Sequence, residues 1–332
     1  MAAWVAGSAI CPKVHWRPSL AARDAMKPRL WRAAAVAALL CVAATALAAC
    51  GAGSGGAAVR LTITRDVGAR SLLELENAKR GPGDALGLLR SNASVRADAA
   101  GRVEAINGLA GDWTLYVNGI RSDQRARKVD VNPGDRLWWD LHDRSIPPSP
   151  AVVGAFPEPF VHGTGGRKLP VRVECAEPQS APCDAVAHAL TRLGVVAGRS
   201  ALSHSAADNS LRVLVGPWRD LRGLDAEAEQ IDAGPASSGV FARFDTAGTR
   251  LVVLDERGRP ARTLGAGTGF VAATRARDRK PVWYVTGTDD AGVQSAARAL
   301  DESALSDRFA LAISADLPVR VPLGPGGGAA AP

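Results

Sequence analysis

The clearest pattern of apolar and polar positions lies between Gly111 and Asp143. Trp113, Leu115 and Val117 alternate with Thr114, Tyr116 and Asn118, the period-two signature of a half-buried strand. Asn118-Gly119 tolerates positive φ and predicts a reversal. Asn132-Pro133-Gly134-Asp135 predicts a second turn, after which Leu137, Trp139 and Leu141 form the inward set of another strand. Trp138, Asp140 and His142 then face the other way, because successive side chains alternate. A strand with tryptophan on both faces calls for a second covering layer, or for a surface that meets another molecule.

The flanking pattern is similar. Val59 to Thr64 alternates as a first strand, with Ser71 to Glu76 as its antiparallel partner. Asp84 to Arg90, with Leu86, Leu88 and Leu89, reads as a helix entered after Gly81-Pro82-Gly83, and Arg102 to Ile106 as a further strand. Strands with a single helix on one face predict an α+β domain over residues 58–144.

From residue 145 to 168 prolines and glycines exclude a central strand or helix interior. Val152, Val153, Phe156, Phe160 and Val161 predict that this connector is nonetheless ordered and packs across one or both domains; the other reading is a stiff extended spacer. Residues 169–322 alternate strands and helices and predict an α/β domain. Its expected strands begin at Val171 and Val173, run from Leu211 to Val215 and cover Val282 to Val285; Gly239 to Phe244 and Arg250 to Asp255 form a hairpin pair. Expected helices are Asp184 to Leu193, Trp218 to Glu229 and one capped by Thr288 that buries Val293, Ala296, Ala297 and Leu300. Residues 323–332 are expected to be disordered.

Composition changes the picture chiefly at the N-terminus. Met26 to Arg32 is basic, Ala33 to Ala46 is apolar, and Leu47-Ala48-Ala49-Cys50 follows, the order of a secretory signal peptide over residues 1–49. It resembles the lipoprotein type, which implies that Cys50 is lipidated and that residues 50–57 tether the protein to the outer face of the cell membrane. Met26 is a candidate true start; a genuine long leader is the alternative. Six basic residues precede Cys50 against Asp24 alone, so the net charge of +7 falls to +2 without them. The basic balance belongs to the leader and gives no support to nucleic-acid binding. Beyond Cys50 only Cys175 and Cys183 remain, and they are expected to form a disulfide from a strand end to a helix start; two reduced thiols are the alternative.

The residues Gly111, Trp113, Tyr116, Val117, Asn118 and Gly119, then Pro133, Gly134, Asp135 and Trp139, resemble the transcobalamin C-terminal-like domain. That bacterial family has no known function, and its relatives include the smaller β-rich domain of the vitamin B12 carriers. The resemblance spans roughly residues 58–143 and implies a β-grasp-like fold that closes over one face of a cobalamin-like ligand. In the carriers an α/α-barrel domain supplies the opposite face; this chain shows none, so the resemblance implies a separate helical partner protein.

Candidate chemistry is sparse. Gly265-Ala266-Gly267-Thr268-Gly269 is followed by residues that read as a strand, with no P-loop Lys-Ser pair, so no phosphate site is expected. Asp140 and His142 share a face but make only two metal ligands, with His162 distant in sequence; no metal site is expected. Ser203, His204, Ser205 and Asp208 lie too close in sequence for a catalytic triad. No catalytic residue is assigned. Trp113, Gly119, Gly134, Asp135 and Trp139 are read as structural, and Tyr116, Asn118, Trp138, Asp140 and His142 as a ligand or partner surface. The expectation is a non-enzymatic, lipid-anchored binding protein, with an envelope scaffold as the alternative.

Overall fold

The computed structural model describes residues 57–324, apart from 82, 144, 205–208 and 278. The leader, Cys50, most of the tether, part of the Ser203–Asp208 stretch and the tail beyond Gly324 lie outside the described residues. The fold mixes helix and sheet, as the sequence predicts, and the described residues belong to one compact unit.

The N-terminal layer holds β1 (Arg60–Arg65), β2 (Arg70–Leu75), α1 (Ala85–Asn92), β3 (Val95–Ala97), β4 (Val103–Ile106), β5 (Leu109–Ala110), β6 (Trp113–Val117), β7 (Ile120–Arg121) and β8 (Arg136–Leu141). Its main sheet runs β2-β1-β8-β6-β7, with β1 and β8 parallel and the other pairs antiparallel; β3, β4 and β5 form a small separate sheet. Asp84 caps α1 by accepting from the Gly87 amide, as the predicted entry requires. The Leu61, Ile63, Leu115, Leu137 and Trp139 face packs on Leu86 and Leu89 of α1. The predicted reversal is there too: Asn118 and Gly119 have φ of 52° and 76°, joining Val117 to Ile120.

The C-terminal layer contains β9 (Val171–Cys175), α2 (Ala181–Arg192), β10 (Ala197–Ala201), β11 (Leu211–Pro217), α3 (Trp218–Leu221), α4 (Ala226–Ala233) and α5 (Pro235–Ser238). It continues through β12 (Ala242–Phe244), β13 (Leu251–Leu254), β14 (Pro260–Leu264), β15 (Gly269–Thr274) and β16 (Val282–Gly287). The last elements are α6 (Asp290–Arg298), α7 (Glu302–Leu305), β17 (Ala310–Ser314) and β18 (Leu317–Val321). A seven-stranded sheet runs β10-β9-β11-β16-β15-β17-β18, parallel through its first four strands and antiparallel beyond; β12, β13 and β14 form a small sheet. Strands β11 and β16 are buried on both faces, which explains the consecutive apolar residues Val213–Val215 and Val282–Val285. One face meets α2 and α6 through Val186, Leu190, Val293 and Ala297.

Several local readings need correction. The predicted helix from Trp218 splits at Arg222–Leu224, where Gly223 takes φ of 77°, and Asp225 caps α4 anew. Asp289, not Thr288, caps α6 by accepting from the Gly292 amide; the Thr288 hydroxyl accepts from the Thr268 amide instead. Leu323 is 7 % exposed and its amide donates to the Leu254 carbonyl, so order extends past residue 322. The Cys175–Cys183 disulfide is present and joins the end of β9 to the first turn of α2.

The connector is ordered and serves both layers. Val152 enters the core that also contains Tyr116, Trp138 and Phe309, whereas Val153, Phe156 and Phe160 enter the other core beside Trp283. Phe160 and Trp283 lie 5.0 Å apart between ring centroids. A free spacer would leave these side chains in water, at about 1.5–3 kcal/mol each.

Candidate functional site

The Tyr116, Asn118, Trp138 and Asp140 set is not an open surface. Tyr116 is 0 % and Trp138 3 % exposed, because the C-terminal layer covers this face of the sheet. Phe309 stands edge-on to both, 5.6 Å from Tyr116 and 5.2 Å from Trp138. The second covering layer that the two-faced tryptophan pattern calls for is therefore the same chain. Burial, and then the Asp140 carboxylate, raise the Tyr116 pKa far above its ordinary value. Its hydroxyl has no hydrogen-bond partner.

Asn118 is a structural pin. Its side-chain amide donates to Asp135 Oδ1 and to the Gly163 carbonyl, both at 2.8 Å, and its Oδ1 accepts from the Arg136 amide at 2.8 Å. Asp135 also accepts from the Asn132 amide at 2.7 Å. The two predicted turns are thus one hydrogen-bonded unit, and the structural roles of Gly119, Gly134 and Asp135 follow from it. A Cβ on Gly119 would lie 2.7 Å from the Val152 carbonyl oxygen, and one on Gly134 2.5 Å from the His162 ring. His162 is held there by Glu158, 2.6 Å from its Nδ1, and does not join His142. Among the described residues no group of three or more His, Cys, Asp or Glu side chains could hold a metal ion.

Asp140 and His142 do come together. His142 Nδ1 lies 2.8 Å from Asp140 Oδ2, while Asp140 Oδ1 accepts from the Thr64 hydroxyl at 2.5 Å and the Gly68 amide at 2.8 Å. Trp138 Nε1 donates to the same Thr64 oxygen at 2.7 Å. This carboxylate orients the imidazole through Nδ1 and fixes the tautomer, leaving Nε2 as the ring's other nitrogen.

His142 lines a groove of about 560 Å³ along the outer edge of β6. Strand β7 pairs only with Tyr116 and Val117, so Trp113 and Thr114 have no strand on that side among the described residues. Trp113 contributes aromatic wall with Trp139, only 3 % exposed, beneath it, and residues 121–126 form the opposite rim. Arg102 pairs with Asp112 at 3.0 Å, and Arg121 with Asp123 at 3.0 Å. Arg275 of the C-terminal layer fastens this rim, donating to the Arg121 carbonyl at 3.0 Å and pairing with Asp123 at 3.2 Å. Trp139 Nε1 is buried without a protein partner. The sequence placed Trp113 and Trp139 as structural and did not single out Arg102, Arg121 or Thr114. The signal was faint, since the groove exists because β7 stops after two residues.

Ser203 is also accounted for structurally. Its hydroxyl donates to Glu174 at 3.2 Å, within a buried network in which Arg212 bonds Glu174 at 2.9 Å and Asp225 at 2.7 Å. Tyr284 donates to Asp225 at 3.0 Å. Burial works against the Arg212 charge, but Glu174 and Asp225 outweigh it and raise its pKa.

A domain of unknown function, DUF4430, matches residues 85–143, which include α1, the paired turns and most of the groove. Among curated proteins none matches the chain.

Proposed function

We propose that the protein is an extracytoplasmic, non-enzymatic binding lipoprotein, anchored through Cys50, that takes a flat ligand in the groove beside β6. The observation that carries this reading is the convergence of Trp113, Trp139 and the Asp140-oriented His142 on one groove. The order β2-β1-β8-β6-β7 with α1 on one face supports the β-grasp-like, transcobalamin-like assignment of the N-terminal layer. A corrinoid fits the donor set: the half-buried indole of Trp113 suits its apolar edge, and an imidazole oriented by Asp140 suits its metal centre. The groove replaces the Tyr116–Trp138 face as the place of binding, and a separate helical protein would supply the opposite wall.

Aquocobinamide added to the full-length protein tests the reading, because imidazole coordination shifts the corrinoid's visible band. The expected result is a saturable shift that His142→Ala abolishes, with affinity falling about tenfold, or about 1.4 kcal/mol, in Trp113→Ala. No shift and no binding at about 1 mM would remove the corrinoid. The unpaired outer edge of Trp113 and Thr114 supports a second reading, an envelope interaction protein that lays a partner strand along β6.

A further inference from the structure

The C-terminal layer carries a second cleft. From β9 the chain passes through α2 to β10 on one side; from β11 it passes through α3, α4 and α5 toward β16 on the other. The adjacent parallel strands β9 and β11 therefore send their connections apart, and the space outside their carboxyl ends stays uncovered. In open α/β sheets ligands bind at such a divergence. Here it is a cleft of about 620 Å³, within the range of small-molecule sites of about 300–1,000 Å³.

One wall is built to hold its shape. The Cys175–Cys183 disulfide closes the excursion that carries Glu177 and Ser180. The Ala176 amide donates to the Val215 carbonyl at 2.8 Å, and a Cβ on Gly216 would lie 2.8 Å from the Ala176 Cβ, so the floor is closely fitted. The two helix starts beside the cleft already have intramolecular acceptors: Ser180 accepts from the Cys183 amide, and Asp289 accepts from the Gly292 and Gly267 amides. An anion therefore finds little there. Glu177, Asp220 and Asp290 stand at the cleft against one guanidinium, Arg219, which lies 3.7 Å from Asp220. Pro182 and Leu202, both half-buried, add apolar surface, with Pro217 and Val293 beneath.

We infer that this cleft binds a small organic cation, its apolar body on Pro182 and Leu202 and its ammonium among Glu177, Asp220 and Asp290. The site is independent of the groove beside β6. The test is calorimetric titration of the full-length protein with phenethylammonium, spermidine and choline, against phenethyl alcohol and phenylacetate as neutral and anionic controls. At least one amine is expected to saturate below about 1 mM while both controls fail. The Glu177→Gln/Asp220→Asn/Asp290→Asn variant should weaken that amine about tenfold or more, and Leu202→Trp, which narrows the cleft from a half-buried position without touching a charge, should also weaken it. Trp113→Ala should leave it unchanged. Absence of saturation by all three amines, equal binding of the alcohol, or retained affinity in both cleft variants would overturn the assignment.

Discussion

Trp138 of β8 and Phe309 at the entry to β17 meet edge to face with centroids 5.2 Å apart, and with Tyr116 against the same Phe309 ring they join the two layers. Around it Glu302 bridges Arg60 at 2.6 Å and Arg136 at 2.9 Å, and Arg320 donates to the Gly68 carbonyl at 2.7 Å. The seam is a continuous core with a polar rim, not a loose domain contact. Phe309→Ala should therefore destabilise the protein by about 3–5 kcal/mol, measured by denaturant unfolding. A loss below about 1 kcal/mol would mean that the layers are only weakly joined.

Tyr116→Phe separates the structural role of this face from a binding role. The hydroxyl is buried without a partner, so its removal should leave stability unchanged or raise it by about 1 kcal/mol. Affinity for any groove ligand should not change. Lowered stability in thermal melts would mean that the hydroxyl has a partner, such as a buried water.

Asn118→Ala should cost about 2–3 kcal/mol, because it removes the Asn118 partner from Asp135 Oδ1, the Gly163 carbonyl and the Arg136 amide together. Both turns loosen at once, so amide exchange near Asn132–Asp135 should accelerate along with that near Gly119.

Much of this architecture was legible in the sequence because it rests on local pattern. The alternation in Trp113–Val117 and Arg136–Leu141, the Asn118-Gly119 reversal and the Asp84 cap each follow from a few neighbouring residues. The exposure of Tyr116 and Trp138 was misread because period two shows only that they point away from α1. It says nothing of what lies beyond, and Phe309 is far along the chain. The Arg212–Glu174–Asp225 network was likewise invisible, since its members come from three elements. The C-terminal hairpin of β17 and β18 was missed because Ala315 and Asp316 make its turn, at φ of 50° and 58°, without the usual glycine.

Asp307 gives the seam a pH dependence. Burial, followed by the charge and hydrogen bond of Glu74, raises its carboxyl from the ordinary 3.8 to about 6, with Arg320 and Arg60 pulling the other way. The folded protein then keeps a proton that the unfolded chain has released. The stability this proton provides is present below about pH 4 and is lost as pH rises through about 6. Unfolding midpoints compared between pH 4 and 7 should show that loss in the native protein and not in Asp307→Asn. Parallel profiles for the two proteins would contradict the assignment.

Amide hydrogen exchange of the full-length protein, with and without aquocobinamide, tests the central claim most directly. Binding in the groove beside β6 predicts slower exchange at Trp113–Leu115 and across residues 121–126, with the Val152–Phe156 and Phe309 amides unchanged. Protection at Val152–Phe156 and Phe309 with none along β6 would contradict it, because the seam over Tyr116 and Trp138 would then be what opens to take the ligand.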